Sequence, residues 1–371
     1  MSENRLLETF LDLVGIDSPS GEEAACGAYC AARLADLGFR VRFDDSAIAT
    51  GSDTGNLIAE RPGELAATFA LSAHLDCVEP CRGVVAHVED GVVTSVGETV
   101  LGADDKAGLA AALETFQRLI ESGEPVPALK AIFSVQEEVG LVGAKHLPPE
   151  DVACDLCLVL DAEGAPGAIV TAAPTHYTFV AGFEGTASHA GVAPELGVSA
   201  ILMATDAISH MRLGRLDDAS TANIGSIHGG TATNVVAATC EVRGECRSLD
   251  QAVVEELKAD MTAALVDAAS RAGGTVEVAW RREYQGFVFA DDDPMVELVS
   301  AACRDAGVAP STYRTGGGSD ANVLAGMGVP VIALACGMQG VHGTAEQIAV
   351  AEMETLTEIC VAACRRLAER R

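Results

Sequence analysis

Residues 68–76 read TFALSAHLD, an apolar run that closes on a histidine and an aspartate two positions apart. A short run without polar alternation fits a strand buried on both faces, as strands are in a parallel sheet covered by helices. Three more stretches have the same form: LKAIFSVQEE at 129–138, CLVLDAEG at 157–164 and VPVIALACG at 329–337. Ala-rich helical segments separate them, notably Ala107 to Ile120 and Met353 to Leu367. This alternation predicts an α/β domain with a largely parallel central sheet. Upstream, Leu6, Phe10, Leu13 and Val14 recur at helical spacing, and Ser18 to Glu23 supply a turn and a capping box for a second helix to about Leu37.

The middle of the chain has another rhythm. From about Ala173 it reads strand (176–185), helix (198–211), strand (221–229), strand (233–247), helix (251–272) and strand (274–283). This βαββαβ order predicts a ferredoxin-like unit with its own core. The first pattern resumes near Asp292, so the expected domains are 1–172 with 288–371, and an inserted 173–287.

With 371 residues, 49% of them hydrophobic, the chain has material for two cores. Its formal charge of −30, from 54 acidic and 24 basic side chains, repels phosphate backbones and anionic membrane surfaces, so nucleic acid is not an expected partner. No run of about eighteen apolar residues predicts a membrane span. Glu8 and Asp12 interrupt the first apolar stretch as no secretory signal would, which makes the cytoplasm the expected compartment. The twelve cysteines then read as reduced, mostly buried thiols, and Cys154-x-x-Cys157 lacks a second Cys/His pair to complete a zinc site.

Five short segments carry the candidate chemistry, most of them at a predicted strand end, where an open α/β sheet gathers its ligand-binding residues. In His74-x-Asp76 both side chains point to one face, and a carboxylate beside an imidazole can orient it as a metal ligand. LGADDKAG, at 101–108, places acids at the start of an Ala-rich helix, with Lys106 to moderate their charge. Such acids either favour the helix dipole or bind cations. Glu137 and Glu138 repel each other unless a cation or proton intervenes, so one fits a metal ligand and the other a general base. Asp161 ends its strand, with Glu163 as a rival ligand, and His342 lies in the Gly-rich loop 337–347. His87, His146, His176, His210 and His228 lack a partnered motif and read as surface or packing residues, although His176 and His228 remain candidates for lining the cleft.

Taken in order, these segments resemble the dinuclear zinc exopeptidase and deacylase family that includes peptidase T, carboxypeptidase G and succinyl-diaminopimelate desuccinylase. The resemblance covers nearly the whole chain and is closest to peptidase T in LGADDKAG. It implies two zinc ions per subunit, with cobalt or manganese as alternatives. Asp104 would bridge them, His74 and Asp161 would complete one site, and Glu138 and His342 the other. Asp76 would tune His74, and Glu137 would be the general base for a metal-bridging water. The inserted unit resembles the family's lid and dimerisation domain, which implies a homodimer. In it SHAGVAP (188–194) carries His189, matched to a histidine that reaches the partner's active site. TATNVVA and GECRSLD imply substrate roles for Asn234 and Arg247, and TGGGSDAN implies substrate contacts at Gly317, Gly318 and Ser319. The implied activity is hydrolysis of a small peptide by a tripeptidase or aminopeptidase. Deacylation, desuccinylation or carboxypeptidase action on an acyl amino acid or peptide is the alternative within the family. A silent metal-binding or assembly protein is the alternative outside it, although none of the matched residues is missing.

Overall fold

The stretch quoted first forms the strand Leu65–His74 at the middle of a mixed sheet. Across the sheet the order is Arg40–Phe43, Leu57–Arg61, Pro127–Ser134, Leu65–His74, Leu156–Ala162, Val331–Ala335, Ala168–Ala173. Pairing is parallel in the centre, where Leu65–His74 lies between Pro127–Ser134 and Leu156–Ala162, and Val331–Ala335 follows. It is antiparallel where Arg40–Phe43, Leu57–Arg61 and Ala168–Ala173 join, and Ser311–Arg314 pairs in parallel with Ala168–Ala173. Because the central strands run together, His74 sits beside Ser134, and Asp161 at its strand end and the 135–138 segment after its strand lie at the same edge. The computed structural model describes residues 2–290 and 292–370.

The chain divides into two compact units, Met1–Ala172 with Phe289–Thr315 and Ser319–Arg371, and Ala173–Val288 with Gly316–Gly318. Placement of Gly316–Gly318 with the second unit was not foreseen from sequence. In the first unit, helix Ala103–Glu121 packs on strands Leu65–His74 and Leu156–Ala162, and helix Val350–Glu369 packs on it in turn. Its small side chains allow this: Ala107, Ala110, Ala111 and Ala112 are fully buried. At Gly108 a Cβ would stand 2.2 Å from Asp105 Oδ1 and 2.3 Å from the Leu160 carbonyl, so glycine lets the helix start directly on the sheet. Phe10, Phe69, Phe116 and Phe133 fill the same core, each burial contributing about 1.5–3 kcal/mol.

One local expectation fails. Helix Ala24–Asp36 begins after Glu23, which makes no side-chain cap. The Ser20 hydroxyl instead donates to Asp76 Oδ2 at 2.6 Å, and the buried Glu23 carboxylate accepts the Gly21 and Gln136 N–H groups. Bonds across the fold have displaced the local capping box.

The second unit is an antiparallel sheet in the order Gly214–Arg215, Ser220–Gly229, Thr239–Ser248, Thr175–Glu184, Thr275–Tyr284. Tyr177, Phe179, Ala181 and Phe183 alternate along one strand and are buried in a core shared with helices Ala200–Ser209 and Gln251–Ala272. Asp250 caps the longer helix through the Ala252 and Val253 amides, and Gly273 ends it at φ 78°. The strand expected over 233–247 begins only at Thr239. Its first residues bond to another loop instead, with Ala190 N–H donating to the Asn234 carbonyl and Val236 N–H to the Ser188 carbonyl, both at 2.9 Å. Among the described residues no helix is long and apolar enough to cross a membrane, and all twelve cysteines are free thiols.

Candidate metal centre

His74 is 1% exposed, and its Nδ1 lies 3.0 Å from the Asp76 carbonyl and 3.3 Å from Asp76 Oδ1. A proton held there leaves Nε2 with a free lone pair, the tautomer a metal requires. Asp76 also reaches the neighbouring strand end: Oδ1 accepts the Glu137 N–H at 2.9 Å and Oδ2 the Glu138 N–H at 3.2 Å. One buried carboxylate thus fixes both the histidine and the backbone of the glutamate pair.

Asp104 stands at the start of helix Ala103–Glu121, where its own backbone and that of Asp105 are not helical and the peptide between them is cis. Its two oxygens diverge. Oδ1 is 3.1 Å from His74 Nε2, and Oδ2 is 3.2 Å from His342 Nε2. Asp161 Oδ1 approaches His74 Nε2 to 3.7 Å, and Glu138 Oε2 approaches His342 Nε2 to 3.0 Å. The result is two donor sets, His74/Asp104/Asp161 and Asp104/Glu138/His342, each with ligand atoms within 4.8 Å of one another and with Asp104 common to both.

The two donor sets crowd carboxylates and imidazoles together, and each shifts the titration of its neighbours. Burial pushes Glu137, Asp161 and Asp105 well above the carboxylate range, and neighbouring carboxylates add to the rise. Hydrogen bonds to the Asp104 and Glu138 carboxylates lift His342 to about 10. Burial opposes charge on His74, but Asp104 and Asp76 overcome it and raise its imidazole as well. Burial likewise opposes the charge of Asp104, yet His342 and His74 hold it below the usual range. Glu138 Oε1 is buried with no hydrogen-bond partner. A mixed N/O set with an orphaned carboxylate oxygen fits a borderline divalent metal.

Asp105 lies outside both donor sets and accepts the His74 and Gly108 amides, each at 3.1 Å. Lys106 donates to the Ile16 carbonyl at 2.7 Å, a bond to the N-terminal region in place of the charge-moderating contact expected from sequence. Glu163 is exposed and lies outside both donor sets, and Cys154 and Cys157 enter no metal-like group among the described residues.

Within the second unit, His189 is exposed and forms a bridge with Val235, which brings it beside Asn234. Arg247 donates to Glu245 at 2.9 Å and to the Gly316 carbonyl at 3.3 Å, which joins it to the glycine turn of Gly317 and Gly318. His176, read from sequence as a surface or packing residue with a possible place in the cleft, lies 2.7 Å from Glu245. Ser319 caps helix Asp320–Gly326 through the Ala321 amide, in a capping box with Asn322. Sequence reasoning missed Ser20, Glu346 and Asp320. Ser20 and Glu346 act on the site through bonds to Asp76 and Asp104. Buried Asp320, near 6, receives the Ser134 hydroxyl and raises Glu137 further.

Residues 173–272 match the peptidase dimerisation domain of the M20 family, and residues 85–172 match the M42 glutamyl aminopeptidase family. The chain is 41% identical to the uncharacterized protein YqjE of Bacillus subtilis, over 98% of each chain. It is 41% identical to the aminopeptidase PepT of Bacillus cereus, covering 99% of both chains at a TM-score of 0.93. For a tripeptidase of Staphylococcus aureus the values are 36%, 99% of both chains and 0.95. With the paired donor sets and these full-length matches, the chain belongs to the peptidase T-like branch of the M20 family of metal-dependent peptidases.

Proposed function

We propose that this peptidase is a cytoplasmic homodimeric tripeptidase or aminopeptidase that holds two zinc ions per subunit, with cobalt or manganese as substitutes. The observation that carries the reading is the divergence of the Asp104 oxygens toward two histidines, each with its own second carboxylate. His74, Asp104 and Asp161 hold one ion, and Asp104, Glu138 and His342 the other. When bound, zinc supplies Lewis acidity, polarising the scissile carbonyl and acidifying water.

The chain's own groups do the rest. Glu137 takes the proton of the attacking water and returns it to the leaving amine, a role suited to a buried carboxyl beside both donor sets whose proton affinity burial raises. Asp76 keeps His74 in the ligating tautomer and holds Glu137 in place. His189, offered from a second subunit, donates to the oxyanion. Asn234, Arg247 and the Gly317–Gly318 turn bind the peptide, and Ser319 shapes that turn by capping the helix behind it. The names of the PepT and tripeptidase relatives support a short peptide substrate.

Metal analysis combined with a panel of tripeptides, dipeptides and N-acyl amino acids tests this reading. Two zinc equivalents and a preference for tripeptides are expected. A preference for acyl amino acids would move the chain to the deacylase side of the family.

A further inference from the structure

Glu346 is 2% exposed, and its carboxylate is satisfied by backbone amides. Oε2 accepts the Gly102 N–H at 2.7 Å and Oε1 accepts the Asp104 N–H at 2.9 Å. A carboxylate is costly to bury and is retained where its charge is matched by well-aligned donors. The donors here belong to the turn that presents Asp104.

Glu346 itself closes the loop that presents His342. Gln339 and Gln347 exchange both backbone hydrogen bonds at 3.0 Å, so residues 340–346 leave and rejoin the fold at one point. At the tip His342 adopts φ 61°, with 53% of its side chain exposed, so packing alone holds it loosely. Glu346 N–H donates back to the Gly343 carbonyl at 3.1 Å, which stiffens the segment between the two residues. The carboxylate therefore ties together, through the backbone, two ligand-bearing segments that are remote in sequence.

We propose that Glu346 is a positioning residue for the Asp104/Glu138/His342 pocket, holding the Asp104 turn and the His342 loop at ligand distance before an ion arrives. This rests on the two-metal reading given above. Glutamate suits the role because two N–H donors need two acceptors. Glutamine offers one acceptor and turns an NH2 group against the other amide.

Zinc titration of chelator-stripped protein, followed by calorimetry, tests the proposal. His342→Ala identifies the binding event that belongs to this pocket. Glu346→Gln is expected to weaken that same event about 10–100-fold, as loss of an outer partner of a metal ligand does, and to change the other event less. Equal loss at both events, or none, overturns the proposal while leaving the two-metal reading intact. Failure of the wild-type protein to take up two ions overturns both. Amide hydrogen exchange of metal-free wild-type protein checks the same point without a variant. The Gly102 and Asp104 amides are expected to be protected before zinc is added. Exchange as fast as that of open loop amides until zinc is added would overturn the proposal.

Discussion

Asp76 Oδ1 accepts the backbone N–H of Glu137 at 2.9 Å, so the residue that orients His74 also fixes the start of the glutamate pair. Replacing it disturbs both strand ends at once. Asp76→Ala is expected to lower metal affinity about 10–100-fold and turnover further, because His74 loses its tautomer partner and Glu137 its anchor. Calorimetric zinc titration beside peptide hydrolysis measures both. Unchanged metal affinity would mean that the Asp76 carbonyl alone orients His74.

Glu137 and Glu138 are adjacent, and the proposed function gives them different work. Glu137→Gln is expected to keep both metals and lose about two to four powers of ten in turnover number, since only a proton acceptor is removed. Glu138→Gln is expected to weaken the pocket that contains His342, where Glu138 Oε2 lies 3.0 Å from the imidazole. Elemental analysis of both purified variants separates the roles, and the opposite pattern would exchange them.

Metal uptake is expected to strengthen as pH rises. Asp104 and Glu138 lift His342 to about 10 in the metal-free protein, and a metal binds only the neutral imidazole. Below that value the ion must displace a proton, so affinity climbs through neutrality and levels off near 10, with proton release on binding. Calorimetry in buffers of different ionisation enthalpy measures the release. Affinity that does not vary between mildly acidic and alkaline solution would mean that the site is already deprotonated.

His189 is exposed on a loop fixed by its bridge to Val235, which suits a group offered to another chain. His189→Ala is expected to be folded, metal-loaded and slower by about a hundredfold or more, the usual cost of losing an oxyanion donor. Mixing it with Glu137→Gln is expected to restore activity, because some mixed dimers then contain one site with both groups intact. Mixed dimers no more active than either parent would place the role of His189 within its own subunit.

Much of this architecture was legible in the sequence. Unbroken apolar runs mark buried strands, and the residues that end them, His74, Glu137, Glu138 and Asp161, converge because parallel strands share a carboxyl edge. Contacts that depend on distant partners were not legible. Ser20 resembled a helix cap and proved to bind Asp76, and Lys106 resembled a counter-charge and proved to bind the Ile16 carbonyl. The 233–238 stretch has strand composition, but the Asn234 carbonyl and the Val236 amide bond to the 188–190 loop, and the Ala237 and Ala238 carbonyls accept from Ala200 and Gly185. Asp320 and Glu346 carry no local pattern, because their function lies in segments that only the fold brings near.

The most direct test of the account is zinc stoichiometry in the wild-type chain and in Asp104→Ala, measured together with tripeptide hydrolysis. If the diverging oxygens of Asp104 serve two ions, the wild-type protein carries two zinc equivalents per chain and loses activity on chelation. Asp104→Ala then loses tight binding at both pockets and all measurable turnover. A wild-type protein that is fully active without metal, or an Asp104→Ala variant that keeps two tightly bound ions, would contradict it.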